Sequence, residues 1–300
     1  MTFIGNKNIA NFLQLSFENG TFSHAYCLIG ASQIGKRTLA NQLAAQILGV
    51  SVAGLATNPD YVYVERQEDE KTGKKKKEIS ADQIRQVREK FYNSSWLNGY
   101  KVIVLDEAEL LNEESGNAFL KILEEPPAKS IIFILTENDN LLLPTIRSRC
   151  QCLELSAVSD LEMSEFLKGL NCHESQAQEI IKQSWGRPGK AQELMVNNEK
   201  YLQNFEEQRR FEKIIKSPIY ERWALMEDVL SEKGGLIKTK EKLEPILESW
   251  IMFWRELMMT DTVNGKKYQQ NIDQTNKIKS LLGANVNSKL AIEQLLTNIY

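Results

Sequence analysis

The sequence predicts an α/β fold, a parallel sheet flanked by helices, followed by a remainder that is helical throughout. Between Phe3 and Leu155, short apolar runs rich in β-branched and aromatic residues, "HAYCLIG", "DYVYVE", "KVIVLDE" and "IIFILTE", alternate with helical patterns such as "RTLANQLAAQIL" and "SGNAFLKILEE". Strands that alternate with helices pair in parallel, with the helices covering the sheet. The β signal ends at "CQCLELS", and every later amphipathic stretch has helical period.

Taken in order, these elements divide the chain into three expected regions. Residues 1–155 form the α/β domain. Residues 156–205 hold three short helices, read from "SDLEMSEFLKGL", "ESQAQEIIKQSW" and "GKAQELMVNN". Residues 206–300 form a helical domain with long amphipathic stretches such as "LEPILESWIMFWRELMM", where Trp250, Trp254 and Met258 recur at helical spacing and read as packing core. The one biased segment, "ERQEDEKTGKKKKE" at residues 65–78, reads as a solvated hairpin or loop tip; a basic finger on DNA is the alternative.

Composition narrows the function classes. With 300 residues, 42% hydrophobic and 26% charged, the chain is long enough for two or three buried cores. Its net charge of −3, from 37 basic and 40 acidic residues, argues against bulk attraction to nucleic acid or to an anionic membrane. No apolar run approaches a membrane span and the start lacks a signal-peptide layout, so a cytoplasmic protein with no membrane partner is expected. Cys27, Cys150, Cys152 and Cys172 follow no disulfide or metal spacing and read as reduced, mostly buried thiols. His24 reads as a packing or hydrogen-bonded residue and not as a ligand, and His173 as a surface one.

Two motifs carry chemistry. "GASQIGK" matches G-x-x-x-x-G-K at Gly30, Gly35 and Lys36, after an apolar strand and before a helix, which is the context a phosphate-binding loop requires. There, backbone N–H groups around Ser32 to Lys36 hold phosphate oxygens and the lysine neutralises them. The next residue should bring a hydroxyl to Mg²⁺, yet it is Arg37, whose fixed charge cannot ligate a cation. Thr38 follows one residue late and, about 100° further round the helix, should point away from the metal unless the loop shifts register. The second motif, "KVIVLDE", ends in Asp106 and Glu107, the pattern in which an aspartate holds Mg²⁺ through water and a glutamate polarises the attacking water. The alternative is that both acids cap the following helix.

The run "DEAELLNEESGNAFLKILEEPP" with "FILTENDNLLLPTIRSRCQ" resembles the clamp-loader branch of the AAA+ proteins, and within it the delta-prime type of bacterial DNA polymerase III subunit. The likeness extends through "SHAYCLIG", the loop, "ISADQIRQV", "GRPGKA" and "NVNSKLAIEQLL", and so over most of the chain. It implies an AAA+ P-loop domain, a small helical lid and a C-terminal all-α collar that holds subunits in a ring. It also implies that Ser148, Arg149 and Cys150 form the motif whose arginine reaches into the nucleotide site of an adjacent subunit. From context alone, Arg149 reads as a helix-end arginine paired with a local acid, and the surrounding family pattern reverses that preference. Thr136, Glu137 and Asn138 fall where the family places a polar sensor.

Departures from the motor subunits of that family, the gamma and tau type, are equally specific. Arg37 replaces the hydroxyl, residues 49–80 contain no cysteine or histidine for zinc, and Gly189 in "GRPGKA" falls where the lid arginine should be, with Arg187 and Lys190 nearby. The resemblance then implies a stator: a replication subunit with a degenerate nucleotide site at Gly30, Gly35, Lys36, Thr38, Asp106 and Glu107. That site would bind ATP or ADP weakly at most, with no bound metal and no zinc, and the chain would not be an ATPase alone. The implied partners are the delta and gamma/tau subunits, the sliding clamp and, through the complex, primer–template DNA. The competing expectation is a motor ATPase that hydrolyses ATP at Lys36, Asp106 and Glu107. A small-molecule phosphotransferase would need an acceptor pocket for which the sequence offers no motif.

Overall fold

The computed structural model describes residues 3–69, 73, 75–92, 99–230, 235–261, 263–283 and 287–299, with the side chains of residues 228, 235–241 and 283 left aside. Lys74 in the basic segment and the first two residues of "NVNSKLAIEQLL" lie outside the described residues. The chain divides into two compact units, Met1–Glu193 and Leu194–Tyr300.

The first unit is built on strands β1 (Ala25–Ile29), β2 (Tyr61–Val64), β3 (Lys101–Leu105), β4 (Ser130–Thr136) and β5 (Gln151–Glu154). All pairings are parallel and the spatial order is β2-β3-β4-β1-β5. Strand side chains alternate between faces, and both faces here are apolar. Ala25, Cys27, Ile103, Leu105, Ile132 and Ile134 point into one core with α3 (Ala81–Tyr92) and α4 (Glu113–Glu124). Tyr26, Leu28, Val102, Val104, Phe133 and Leu135 point into the other, with α1 (Lys7–Glu18) and α2 (Lys36–Leu48). This two-sided burial explains why "KVIVL" and "SIIFILT" read as unbroken apolar runs: every residue of β3 and β4 is buried.

Helix ends follow local chemistry. The Asn112 side chain accepts from the Ser115 N–H at 2.9 Å and starts α4, so Asp106 and Glu107 do not cap that helix. Ser159 starts α6 (Asp160–Gly169) by the same device, accepting from the Glu162 N–H while its hydroxyl donates to the Glu162 carboxylate at 3.0 Å. After α5 (Pro144–Arg147), α6, α7 (Glu174–Ser184) and α8 (Pro188–Val196) follow the last strand as short helices. The segment at 65–78 is a hairpin among its described residues: Glu68 and Lys75 form an antiparallel bridge, and the Lys76 N–H donates to the Gln67 carbonyl at 2.8 Å.

The second unit is helical among its described residues: α9 (Asn198–Lys216), α10 (Ile219–Leu230), α11 (Gly235–Thr260), α12 (Gly265–Gly283) and α13 (Ser288–Asn298). Its centre is aromatic. Phe211 packs on Trp250, Phe253 and Trp254 with ring centroids 5.8, 5.1 and 4.7 Å away, and Trp254 stacks on Tyr268 at 5.9 Å. The Trp250 indole, fully buried, donates to the Glu207 carboxylate at 2.8 Å, which satisfies its one polar atom.

The cysteines require a correction. All four are free, but only Cys27 is buried; Cys150 and Cys172 are half-buried and Cys152 is exposed. Cys152 sits opposite Cys27 on β5, an edge strand, and an edge strand leaves outer positions open even where the sheet interior is closed. Burial pushes the Cys150 thiol up to about 12. His24 and His173 are both exposed. Among the described residues no helix is long and apolar enough to cross a membrane, and no cluster of three or more histidine, cysteine or acidic side chains could hold a metal.

Gly186, between α7 and α8, has φ +66, and a Cβ there would lie 2.6 Å from the Val158 carbonyl oxygen and 2.8 Å from the Val158 nitrogen. The left-handed backbone alone costs a non-glycine residue about 1–2 kcal/mol, and the backbone contact adds to it. Gly186→Ala should therefore lower the urea midpoint of the first unit by more than a surface Gly→Ala control such as Gly99→Ala. Equal midpoints would show that the α7–α8 turn relaxes without cost.

Candidate functional site

The carboxyl ends of β1, β3 and β4 meet at one edge of the sheet, where open parallel sheets place their ligand sites. The loop after β1 runs from Gly30 through Gln33, a non-glycine residue with φ +61, to Gly35, which precedes the first turn of α2. Gly30 is anchored by its N–H, which donates to the Thr136 carbonyl on β4 at 3.1 Å. Beside the loop lies a cavity of about 530 Å³ lined by Gly35, Lys36, Arg37 and Thr38, by Asp106, Glu107 and Glu109, and by Thr136 and Glu137. The predicted loop, the two acids and the sensor position are thus brought together. Arg149 does not line this cavity.

Inside the site the chain satisfies its own charges. Lys36, a residue only 8% exposed, donates through its ammonium to the Gly30 and Ala31 carbonyls at 2.6 and 3.0 Å. Burial lowers its pKa, with Glu137, Asp106 and Glu109 pulling the other way. Asp106 accepts from the Tyr63 hydroxyl at 2.7 Å on one oxygen and from the Glu107 N–H at 2.9 Å on the other. Burial, and then that bond to Asp106, raise the Tyr63 phenol far above its ordinary range. The Arg37 guanidinium stacks 4.2 Å above the Tyr63 ring.

Glu107 is held in a fork. Its two oxygens accept from Arg66 Nη2 at 2.6 Å and Nε at 2.8 Å, the bidentate geometry of the stronger ion pairs. This bond holds the Glu107 carboxyl below the usual carboxylate range. Glu107 itself has φ +53, and a 3₁₀ turn, Ala108–Leu110, follows it. The Thr136 hydroxyl donates to the Asn138 carbonyl at 3.1 Å and accepts from the Asn138 N–H at 3.2 Å, so it is bound within its own turn.

The short helices close on the loop. The Gly189 N–H donates to the Gln33 carbonyl at 2.9 Å, and a Cβ on Gly189 would lie 3.0 Å from that oxygen and 3.1 Å from the Gln33 Cβ. Arg187 and Lys190 lie over the Trp185 ring, at 5.2 and 3.9 Å from its centroid.

These residues do not fit a Mg²⁺–nucleotide as they stand. The position after the lysine carries a guanidinium, the glutamate is already paired with a second guanidinium, and the lysine is bonded to loop carbonyls. Arg66 and Tyr63 escape a reading of motifs because they belong to none. The available signal was position: both sit at the carboxyl end of β2, whose neighbour β3 delivers the acids.

Arg149 follows α5, away from this cavity. Its guanidinium donates to the Thr145 carbonyl at 2.9 Å and to the Glu124 carboxylate at 2.7 Å, with the two side chains 37% and 48% exposed. The local-acid pairing weighed in the sequence is therefore present. Such an open pair is worth little in water.

Comparison with known proteins agrees with this architecture. The family model described as "DNA polymerase III, delta subunit" matches residues 5–159. A DNA polymerase III subunit delta' from Pseudomonas aeruginosa is 32% identical over 246 residues, which cover 76% of this chain and 66% of that protein. A DNA polymerase III subunit gamma from Buchnera aphidicola is 33% identical over 59% of this chain and 52% of its own length. The chain thus spans about half to two thirds of the length of these relatives. A DNA polymerase III gamma subunit-related protein from Thermotoga maritima superposes with a TM-score of 0.50 at 17% identity, covering 97% of both chains, and shares the fold. A parallel β2-β3-β4-β1-β5 sheet with its phosphate-binding loop after β1, followed by short helices and a helical unit, is the AAA+ P-loop architecture. The chain belongs to the family described as DNA polymerase III, delta subunit, and resembles its delta-prime members.

Proposed function

We propose that this protein is a clamp-loader stator. In this reading it assembles with related AAA+ subunits of the delta and gamma/tau type, helps them load a sliding clamp onto primer–template DNA, and supplies Arg149 to a neighbour's ATPase site. The observation that carries the first half of the reading is the Arg66–Glu107 fork. A glutamate meant to polarise water needs a free oxygen aimed at it, and both oxygens of Glu107 are engaged. Arg37, in the place of the metal-binding hydroxyl, argues the same way. The cavity would then be a degenerate nucleotide site in which Gly30, Gly35, Lys36, Thr38, Asp106 and Glu107 persist as parts of the fold, with weak ATP or ADP binding at most.

For Arg149 the support is its setting. It ends a short helix, about a third of its side chain is open, and its partner Glu124 is more open still. A phosphate offered by a neighbour competes on good terms with such a pair, because an arginine fork suits a terminal phosphate at least as well as a solvated carboxylate. The region from residue 156 to 205 would serve as the lid, and 206–300 as the collar through which subunits hold one another.

Two measurements test these roles. The isolated chain should turn over ATP negligibly; steady-state hydrolysis at the level of a motor subunit, abolished by Lys36→Ala, would establish the motor reading in its place. In complexes rebuilt with Arg149→Ala, clamp- and DNA-stimulated ATPase should fall while assembly stays intact. Loss of a trans arginine costs on the order of 10³ to 10⁵ in rate at a single site, so loss of one site among several is readily visible. Lysine should rescue poorly, since it keeps the charge and loses the fork. Wild-type turnover with Arg149→Ala would make this arginine structural.

A further inference from the structure

Resting on the reading of the cavity as a degenerate nucleotide site, we propose that Arg66 is its selectivity element: a built-in counter-cation that occupies Glu107 and rejects a divalent metal from the site. The loop sequence alone would assign this role to Arg37, and the geometry distinguishes the two. The Arg37 guanidinium lies over the Tyr63 ring, whose hydroxyl donates to Asp106. Arg66 takes both oxygens of Glu107 directly. A doubly charged cation held through water at Asp106 would meet a fixed positive charge seated on the next residue, Glu107, whose carboxylate could no longer help to neutralise it.

The hairpin at 65–78 holds Arg66 in that place. The Gln83 side-chain amide donates to the Glu65 carbonyl at 2.6 Å, Lys75 pairs with the Glu65 carboxylate at 2.8 Å, and Lys75 bridges to Glu68 across the hairpin. Arg66 is thereby fixed on both sides in sequence while its side chain turns to the sheet edge. Lys75 also lines the cavity, so the same hairpin sets two cations against its acids.

A third carboxylate supports the assignment. Glu109 lines the same cavity, and its Oε2 is buried with no hydrogen-bond partner among the described residues. Asp106, Glu107 and Glu109 line that one cavity, although among the described residues no three such side chains are grouped closely enough to hold a metal unaided. Without Arg66, Glu107 would carry a negative charge with no hydrogen-bonded counter-ion beside Asp106, which favours a divalent cation only together with the phosphates of a nucleotide.

The experiment uses the full chain, Mn²⁺ followed by electron paramagnetic resonance, and a fluorescent ATP analogue titrated in Mg²⁺ or in EDTA. Wild type should bind the analogue equally weakly in both and hold no stoichiometric Mn²⁺. Arg66→Met should bind the analogue at least about tenfold more tightly in Mg²⁺ than in EDTA, and adding Glu107→Gln should abolish the gain. Arg37→Thr alone should gain less than Arg66→Met. Stoichiometric Mn²⁺ on wild type would overturn the proposal without any variant. So would an Arg66→Met or Arg66→Gln protein with native circular dichroism and cooperative unfolding but no metal-dependent gain, or a gain confined to Arg37→Thr. Turnover by the wild-type chain would instead overturn the stator reading, so the two failures are separable.

Discussion

A parallel sheet covered on both faces leaves charge to the ends of its strands, and the carboxyl ends gather most of it in the first unit. With β3 and β4 buried throughout, polar side chains that follow the strands gather where the strands end. Five carboxylates, two lysines and two arginines meet there within one cavity or at its rim. Partly buried carboxylates are costly unless neutralised. In a working phosphate-binding site the metal neutralises such carboxylates, while the nucleotide phosphates pair with the lysine. Here the chain supplies it from its own side chains, through Arg66 on Glu107 and through Tyr63 and the Glu107 N–H on Asp106.

The same substitution of internal for external partners recurs around the loop. Lys36 is bonded to the carbonyls of Gly30 and Ala31, and the Gly189 N–H closes on Gln33. Three carbonyls of the loop, those of Gly30, Ala31 and Gln33, are thus bonded from within the chain, which fixes the loop against the helices that follow it. Arg149 differs from the rest of this network, since its bond to Glu124 is open to water and readily exchanged.

How much of this was legible in the sequence follows from the range of each interaction. The strands and the phosphate-binding loop are local patterns: β1 to β4 lie on the four apolar runs that alternate with helical patterns, and β5 falls in "CQCLELS", where the β signal ends. Asp106 and Glu107 were legible as a pair, but what they bind was not. Whether they cap a helix was settled by Asn112, six residues later, and the partner of Glu107 lies 41 residues upstream. Arg66 looked like one charge in a solvated run because its role depends on β2 lying beside β3, a fact of sheet order and not of spacing. Cys152 was misjudged for a related reason: that β5 forms an edge is also a matter of strand order.

The contact between Gly189 and Gln33 bears on which substitutions the phosphate-binding loop tolerates. Any side chain at Gly189 would press on the Gln33 carbonyl, so the loop would have to give way by a few tenths of an ångström. Arg37 over Tyr63, Arg66 on Glu107 and Gly189 against Gln33 are separate contacts, so a change at any one of these three residues leaves the other two in place. The shape of the site is therefore redundantly held, and a single substitution reports on one contact and not on the whole.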